Sequence, residues 1–203
     1  MTDGDRVSVS ARSPAEVLSM PVGQERYPAA ADVFFQANGA LVERFVAEVV
    51  RMAALQPSDR ALDLYAGAGL FSIPLARLGE TVIAVESDPR SVELLRRHIV
   101  ESDITNIEVR RQRVEHALTP PGGRMRPDVV VLDPPRAGAG AEVVDRIARM
   151  KPKRVVMVSC DPATLSRDVG AFSEGGYGLR ELLLLDMFPQ THHLEVVSLL
   201  EPG

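Results

Sequence analysis

The only cysteine of this 203-residue chain, Cys160, stands where a strand is expected to end and a helix to begin. The apolar run Val155–Val158 precedes it, and Asp161 and Pro162 follow as a cap and a first helical residue. A thiol in this position lies at the carboxyl edge of a sheet, where open α/β sheets bind their ligands. The helix N-terminus also favours the thiolate, the nucleophilic form of the side chain. Cys160 is therefore a candidate nucleophile, with a buried structural cysteine as the alternative.

The segment Asp63–Gly69 predicts the end of a strand followed by a turn with two glycines. Gly67 and Gly69 would let the backbone approach a flat ligand closely. A dinucleotide fingerprint would need a third glycine where Ser72 stands, and the chain has no Gly-Lys-Ser/Thr phosphate loop. Glu86 ends the next strand, where a carboxylate can accept hydrogen bonds from both hydroxyls of a ribose. The combination favours the adenosine of S-adenosylmethionine, with a nicotinamide nucleotide and a purely structural turn as alternatives.

A third motif, Asp133–Gly138, also follows a strand. Pro134 and Pro135 fix the backbone and hold the residue before each of them out of the α region. Such a rigid loop can present the Asp133 carboxylate to a ligand. The alternative is a plain tight turn with a capping aspartate.

Strand and helix signals alternate along the chain from about residue 36. Helices are expected over about 36–55, 70–78, 89–101 and 142–150, and after Pro162 as far as Gly175. The expected strands are Arg60–Leu64, Thr81–Val85, Ile107–Val109, Asp128–Leu132, Arg154–Val158, Leu179–Leu185 and Leu194–Leu200. This alternation indicates an α/β fold with a doubly wound, mostly parallel sheet and helices on both faces. The last two strands follow one another without a helix, so one antiparallel strand is expected near the C-terminus.

The first 30 residues differ from the rest of the chain. They are polar, contain Pro14, Pro21 and Pro28, and show little periodicity. We expect residues 1–30 to be an N-terminal extension with at most two strands, a candidate remnant of a larger central domain. Residues 31–203 are expected to form one domain, because no repeat, low-complexity tract or clear linker occurs after residue 35.

The composition narrows the classes of function. With 45% hydrophobic and 25% charged residues, the chain has the composition of an ordinary globular domain. Only 4% of the residues are aromatic and none is tryptophan, which argues against a stacking-based binder of single-stranded nucleic acid. The formal charge of −5 argues against strong RNA affinity of this chain by itself.

One cysteine permits no internal disulfide, Cys-rich zinc site or iron–sulfur cluster within the chain. His192 and His193 are adjacent, so on a strand they would point to opposite faces and could not chelate one metal together. We therefore predict no metal. No apolar run reaches transmembrane length and the N-terminus lacks the form of a signal peptide, so a cytoplasmic location without membrane contact is expected.

Taken together and in order, five motifs resemble those of the RNA (uracil-5-)-methyltransferase family. They are Phe34–Asn38, Asp63–Gly69, Asp133–Gly138, Ser159–Asp168 and Asp186–Glu195. The resemblance covers about residue 30 to the end, and the last two motifs are long and specific. The residues of these two motifs are more similar to the ribosomal-RNA branch of the family than to the transfer-RNA branch.

The resemblance implies a Rossmann-like class I methyltransferase that moves a methyl group from S-adenosylmethionine to C5 of uridine in RNA. It implies that Cys160 attacks C6 of the uracil and that Glu195 later removes the proton from C5, two roles that match covalent and general-base catalysis. Without the resemblance, Glu195 would be interpreted as a solvated strand residue. The positions that match donor contacts in the family are Gln36, Tyr65, Glu86 and Asp133, of which Asp133 also lies near the uracil.

The chain departs from the family pattern in several places. Only 35 residues precede Gln36, where members usually carry an RNA-binding β-barrel and a small central domain. RNA recognition is therefore expected to need a separate RNA-binding chain or domain. The segment Arg110–Glu115 stands where relatives place an acid or amide near the adenine. Either an arginine there weakens donor binding, or Glu115 replaces the acid or amide of the relatives. Asp161 follows Cys160 where asparagine is common, and a carboxylate beside a thiol raises its pKa.

Two other functions fit parts of the sequence. The first is a truncated donor-binding module that is inactive without a partner, and the second is a nicotinamide-dependent oxidoreductase, which the missing third glycine disfavours. Arg167 and Asp168 are interpreted as an ion pair on a helix surface rather than as catalytic groups. The target uridine and the oligomeric state are not encoded in any recognisable pattern.

Overall fold

The computed structural model describes residues 17–33, 38–39, 41–119, 126–187 and 194–203. The strands are β1 (Val17–Val22), β2 (Glu25–Ala30), β3 (Arg60–Leu64), β4 (Thr81–Glu86), β5 (Ile107–Arg111), β6 (Val129–Leu132), β7 (Arg154–Ser159), β8 (Tyr177–Leu185) and β9 (Glu195–Pro202). The helices are α1 (Val42–Ala53), α2 (Ser72–Leu78), α3 (Pro89–Glu101), α4 (Val114–Ala117), α5 (Ala141–Met150) and α6 (Pro162–Glu174).

Seven strands form one sheet in the order β5-β4-β3-β6-β7-β9-β8. The pairs from β5 to β7 are parallel, and β9 runs antiparallel to both β7 and β8. The strand order reverses between β3 and β6, and open α/β sheets bind ligands at the carboxyl edge beside such a switch point. The predicted fold, a doubly wound and mostly parallel seven-stranded sheet with one antiparallel strand near the C-terminus, is confirmed.

Two apolar layers cover the faces of the sheet. Phe45 of α1, Leu75 of α2 and Leu95 of α3 belong to the core on one face. Val144 of α5 and Phe172 of α6 belong to the core on the other face, together with buried residues of α4. Strand β6 is buried along its whole length because its side chains alternate between these two cores. A continuous apolar run is what such a central parallel strand requires.

The observed elements differ from the predicted ones mainly at their ends. Helix α1 begins at Val42, later than the expected start near residue 36, and the single turn α4 was not predicted. Strands β1 and β2 pair as a hairpin, in keeping with the expectation of at most two strands in the first 30 residues. Tyr27 of this hairpin packs edge-on against His98 of α3, with ring centroids 4.5 Å apart. The division of the chain at residue 30 stays a prediction.

Candidate active site

Five residues singled out from the sequence lie at one edge of the sheet, each next to the end of a strand. Tyr65 follows β3, Glu86 ends β4, Asp133 follows β6 and Cys160 follows β7. Glu195 reaches the same edge because it is the first residue of the antiparallel strand β9. Gln36 lies outside the described residues, as do Phe34 and Phe35 of the same motif and Phe188–His193 of the last motif.

The loop after β3 is shaped to approach a ligand. Tyr65 has a φ of 62°, a left-handed conformation that is unusual for a bulky residue and concentrates at functional sites. The loop closes through a hydrogen bond of 2.8 Å from the Gly69 N–H to the Ala66 carbonyl. Gly69 has a φ of 91°, and a Cβ there would overlap Leu95 of α3, so this position requires glycine. Space is open beside Gly67, where an added Cβ would meet no atom within 4 Å.

The Glu86 carboxylate is fixed by backbone amides. Its Oε2 accepts a hydrogen bond of 2.9 Å from the Gly67 N–H, and its Oε1 accepts bonds of 2.6 and 2.7 Å from the N–H groups of Ser87 and Asp88. A carboxylate offers about four lone pairs and the three amides occupy three of them, so Oε2 keeps the capacity to accept from one ribose hydroxyl. The carboxylate thus lies against the glycine loop, and its role as a ribose-binding acid stays a prediction.

Asp63, at the base of the same loop, was singled out only as part of its motif. It is fully buried, and its Oδ2 accepts a bond of 2.5 Å from the Ser72 hydroxyl. Its Oδ1 has no hydrogen-bond partner among the described residues. Burial, with a smaller contribution from Glu86, raises the pKa of Asp63 to about 7. A buried acid therefore lies at the base of the loop, and its Oδ1 is available to accept a hydrogen bond.

Asp133 and Glu195 extend this acidic region. Burial raises the pKa of Asp133 to about 8, helped by the negative charges of Glu195 and Asp63. Glu195 is 5% exposed, its Oε2 has no partner in the described part of the chain, and burial raises its pKa. A cation bound beside these three carboxyl groups would favour their ionised forms and lower their pKa values. S-adenosylmethionine carries a sulfonium and an ammonium group, so these residues fit that donor.

Cys160 lies near Glu195. It directly follows Ser159, which pairs with Val196 of β9, and Val196 directly follows Glu195. The thiol is half-buried. Burial raises the pKa of Cys160, and Glu195 and Asp133 add to this effect, while Arg136 opposes it. Asp161, expected from the sequence to raise this pKa, instead caps α6 by accepting from the N–H groups of Ala163 and Thr164.

Arg136 is a site residue that the sequence reasoning did not assign, although it belongs to the Asp133–Gly138 motif. It is exposed on the loop after β6, and its positive charge lowers the pKa of the Cys160 thiol. The signal in the sequence was the arginine directly after two prolines, where a rigid loop gives a long side chain a fixed origin.

The interpretation of Arg167 and Asp168 as a helix-surface ion pair was half right. The two side chains do pair, at 2.8 Å, and that of Arg167 is 53% exposed. Asp168, however, is 2% exposed, and its Oδ2 accepts a bond of 2.7 Å from the Ala139 N–H. The pair therefore contacts the loop that follows β6, because α6 packs directly beside it.

Two family models match consecutive parts of the chain. Residues 123–202 match the tRNA (Uracil-5-)-methyltransferase model, and residues 31–119 match the TRM5/TYW2 methyltransferase domain. The 23S rRNA (uracil(1939)-C(5))-methyltransferase RlmD of Shewanella sediminis is 40% identical over 168 residues, which cover 83% of this chain and 38% of that protein. The chain belongs to the RNA (uracil-5-)-methyltransferase family. The match to the tRNA (Uracil-5-)-methyltransferase model includes Asp133, Cys160 and Glu195.

Other proteins are similar to this chain in sequence or in fold. The tRNA (uracil-54, C5)-methyltransferase of Pyrococcus abyssi, solved with S-adenosyl-L-homocysteine, superposes with a TM-score of 0.79 at 31% identity and covers 91% of this chain and 44% of that chain. An uncharacterized RNA methyltransferase of Thermotoga maritima is 41% identical over 88% of this chain and 40% of its own length. Trm5b of Pyrococcus abyssi, with a TM-score of 0.71 at 14% identity, shares the fold. The chain thus spans about two fifths of the length of the family members it matches.

Within the described ranges, no helix is long and apolar enough to cross a membrane. The same residues contain no group of three or more His, Cys, Asp or Glu side chains arranged to hold a metal ion.

Proposed function

We propose that this chain is the catalytic unit of an S-adenosylmethionine-dependent methyltransferase that methylates C5 of uridine in RNA, with ribosomal RNA favoured over transfer RNA. The observation that carries the proposal is that Cys160 and Glu195 lie at the same edge of the sheet, next to the paired residues Ser159 and Val196, where the Glu195 charge acts on the thiol. An amino-methyltransferase with a similar acidic-Pro-Pro loop needs no cysteine. The relative named as an rRNA (uracil-C5)-methyltransferase at 40% identity supports the ribosomal assignment.

The proposed reaction uses Cys160 first. Its thiolate adds to C6 of the uracil, which turns C5 and the O4 carbonyl into an enolate with a nucleophilic C5. C5 then takes the methyl group of the sulfonium donor, leaving S-adenosylhomocysteine. Glu195 removes the proton from C5, the C6–S bond breaks, and the thiolate leaves as the double bond of the ring reforms. Burial that raises the pKa of Glu195 suits a carboxylate that must accept a proton.

The donor would be held by residues of the loop after β3 and its neighbours. We assign Tyr65 and Gly67 to the adenosine and its surroundings, Glu86 to the ribose hydroxyls and Asp133 to the cationic end. Gln36 completes this set by its match to the family motif. The donor supplies an electrophilic methyl group when it is bound, and these residues bind and orient it between the glycine loop and Cys160.

We further propose that residues 31–203 form the methyltransferase domain, with residues 1–30 as an extension. A separate RNA-binding domain or chain would then deliver the substrate. The net charge of −5 supports this division of labour, because it opposes autonomous binding of a polyanion. The net charge also supports the alternative function, a module that binds the methyl donor without turning it over. A nicotinamide nucleotide is disfavoured because Ser72 occupies the place of the third fingerprint glycine and bonds to Asp63.

Covalent trapping on 5-fluorouridine-containing ribosomal RNA tests the proposal. Fluorine at C5 prevents the last elimination, so an active protein should remain attached to the RNA on a denaturing gel. We expect a shifted band that requires both S-adenosylmethionine and Cys160 and that is absent in Cys160→Ala. The control Arg97→Ala removes an exposed ion pair with Glu101 on the outer surface of α3 and should give the same band as the unaltered chain.

Donor binding, measured by calorimetry on the same protein, separates the alternatives. A protein that binds S-adenosylmethionine but gives no band on any RNA, even with the RNA-binding region of a relative added, is the donor-binding module. A band that persists in Cys160→Ala would overturn the covalent mechanism. Binding of a nicotinamide nucleotide in place of S-adenosylmethionine would overturn the donor assignment.

A further inference from the structure

The turn that carries Arg136 is held by helix α6. The Gly138 N–H donates to the Pro135 carbonyl at 2.8 Å, which closes a four-residue turn with Arg136 at its second position. Arg167 donates from Nη2 to the Ala137 carbonyl at 2.8 Å. Asp168 accepts from the N–H of Ala139, two residues further along the chain. Two consecutive residues of α6 thus hold both the turn and the segment that leaves it.

The contact is tight enough to dictate the residue at position 138. Gly138 has a φ of 79°, and a Cβ there would overlap both the Arg167 guanidinium and the Asp168 carboxylate. Arg167 is itself oriented by two hydrogen bonds, of 3.0 and 2.8 Å, from Nε and Nη2 to Asp168 Oδ1. Because Asp168 is buried, this pair has a fixed geometry that an exposed pair on the helix would lack.

The same helix begins directly after the thiol. Asp161 caps α6, and the Ser159 hydroxyl donates to the Asp161 carbonyl at 3.0 Å. The strand end that carries Cys160 and the loop that carries Arg136 are therefore both anchored on α6, one at its first turn and the other at its second. A displacement of the loop relative to α6 would change the distance between the Arg136 guanidinium and the Cys160 sulfur.

We propose that Arg167 and Asp168 are positioning residues that hold the turn Pro135–Gly138 so that Arg136 faces the Cys160 thiol. They act through Arg136 and contact neither the thiol nor the reacting atoms. In the part of the chain that the structure describes, the charged groups that act on Cys160 are Glu195 and Asp133, which disfavour the thiolate, and Arg136, which favours it. Arg136 is the cation among these three groups, so holding its turn next to the strand end that carries Cys160 should increase the thiolate fraction. The inference rests on the proposed function only in taking Cys160 as the reacting group.

Alkylation of Cys160 by iodoacetamide, followed by mass spectrometry over a range of pH, measures this effect directly. Cys160 is the only cysteine, so every labelled protein reports on it. Arg136→Ala should slow alkylation at pH 8 by about threefold to tenfold, since a pKa increase of one unit lowers the thiolate fraction tenfold. Arg167→Ala and Asp168→Ala should shift the pH profile in the same direction. Asp168→Asn should shift it less, because its amide oxygen still accepts from Ala139.

The double variant Arg136→Ala/Asp168→Ala separates positioning from a general structural role. If Asp168 acts through Arg136, the double variant should have the same pH profile as Arg136→Ala alone. Additive shifts, or a profile of Asp168→Ala equal to that of the unaltered chain, would overturn the proposal. Should Asp168→Ala not fold, Arg167→Ala takes its place, with Arg97→Ala as a control of equal exposure that should leave the profile unchanged.

This assay needs neither RNA nor methyl donor. A failure of the trapping experiment would therefore reject the proposed function while the alkylation profiles still decide whether α6 positions Arg136. Conversely, unchanged profiles with successful trapping would reject the positioning role alone.

Discussion

Glu195 and Cys160 flank the last pair of β9 and β7, Val196 with Ser159, so the proposed base and the proposed nucleophile act on each other before any substrate binds. The negative charge of Glu195 is among the causes that raise the pKa of Cys160, after burial. The resting site therefore holds the thiol mainly protonated at neutral pH. Arg136 opposes this effect but does not outweigh it.

Replacing Glu195 with glutamine should accelerate alkylation of Cys160. The substitution removes the negative charge that disfavours the thiolate while it keeps the size of the side chain, so the pKa of the thiol falls. We expect alkylation at pH 8 to be faster by severalfold and by about tenfold at most, the effect of one pKa unit. Slower alkylation in Glu195→Gln would contradict the placement of the carboxylate. The exposed variant Glu101→Gln on α3 is the control and should alkylate at the unaltered rate.

The same variant should accumulate a covalent protein–RNA adduct on ordinary uridine. Addition of Cys160 to C6 and methylation at C5 need no base, but elimination does, so Glu195→Gln should stop after methyl transfer. The measurement is a denaturing gel with methyl-labelled donor, in which radioactivity should run with the protein–RNA band. Free methylated RNA formed at the unaltered rate would point to a different base.

The sequence was sufficient for the fold and for most of the site because both depend on local patterns. The alternation of apolar runs with helical stripes predicted all seven strands of the main sheet, and the residues at strand ends meet because parallel strands end at one edge. Asp168 shows the limit of this reasoning: an Arg-Asp pair on a helix has the same pattern whether the acid is exposed or buried. Its burial depends on the loop from Asp133 to Gly140, which is distant in sequence. The raised pKa values of Asp63 and Asp133 likewise come from burial and from neighbours on other strands.

Donor affinity should rise with pH between about 6 and 9. Burial raises the pKa of Asp63 to about 7 and that of Asp133 to about 8, above their ordinary value of 3.8. A carboxyl with a raised pKa stays protonated in the folded protein up to that pKa but ionises near 3.8 in the unfolded chain, so the free protein loses stability progressively as pH rises from about 4 to 8. A cationic donor binds the ionised form and restores the loss. The thermal shift produced by S-adenosylmethionine should therefore be larger at pH 8.5 than at pH 6, and Asp133→Asn should flatten this dependence. An equal shift at both pH values in the unaltered chain would show that the acids do not face the donor.

Glu86 should contribute strongly to donor affinity. Glu86→Ala removes the acceptor proposed for the ribose hydroxyls and also leaves the Gly67 N–H without its carboxylate partner. We expect donor binding to weaken by about 1–3 kcal/mol, measured by calorimetry. Glu108→Ala on β5, which removes an exposed ion pair with Arg110, is the control and should bind as the unaltered chain does. Unchanged affinity in Glu86→Ala would refute the assignment of this loop to the adenosine.

Tyr27 should support the donor loop from the N-terminal hairpin. Its hydroxyl donates to the Leu70 carbonyl at 3.1 Å, directly after the glycine loop, while its buried ring contacts His98. Tyr27→Phe keeps the ring and leaves the carbonyl unpaired, which should lower the free energy of unfolding by about 1 kcal/mol and also weaken donor binding. Tyr177→Phe is a matched control, because it removes a hydrogen bond of 2.7 Å to the Pro152 carbonyl that lies in a different part of the fold. It should reduce stability by a similar amount and leave donor affinity unchanged. Equal donor affinity in both variants would mean that the hairpin stabilises the domain without shaping the site.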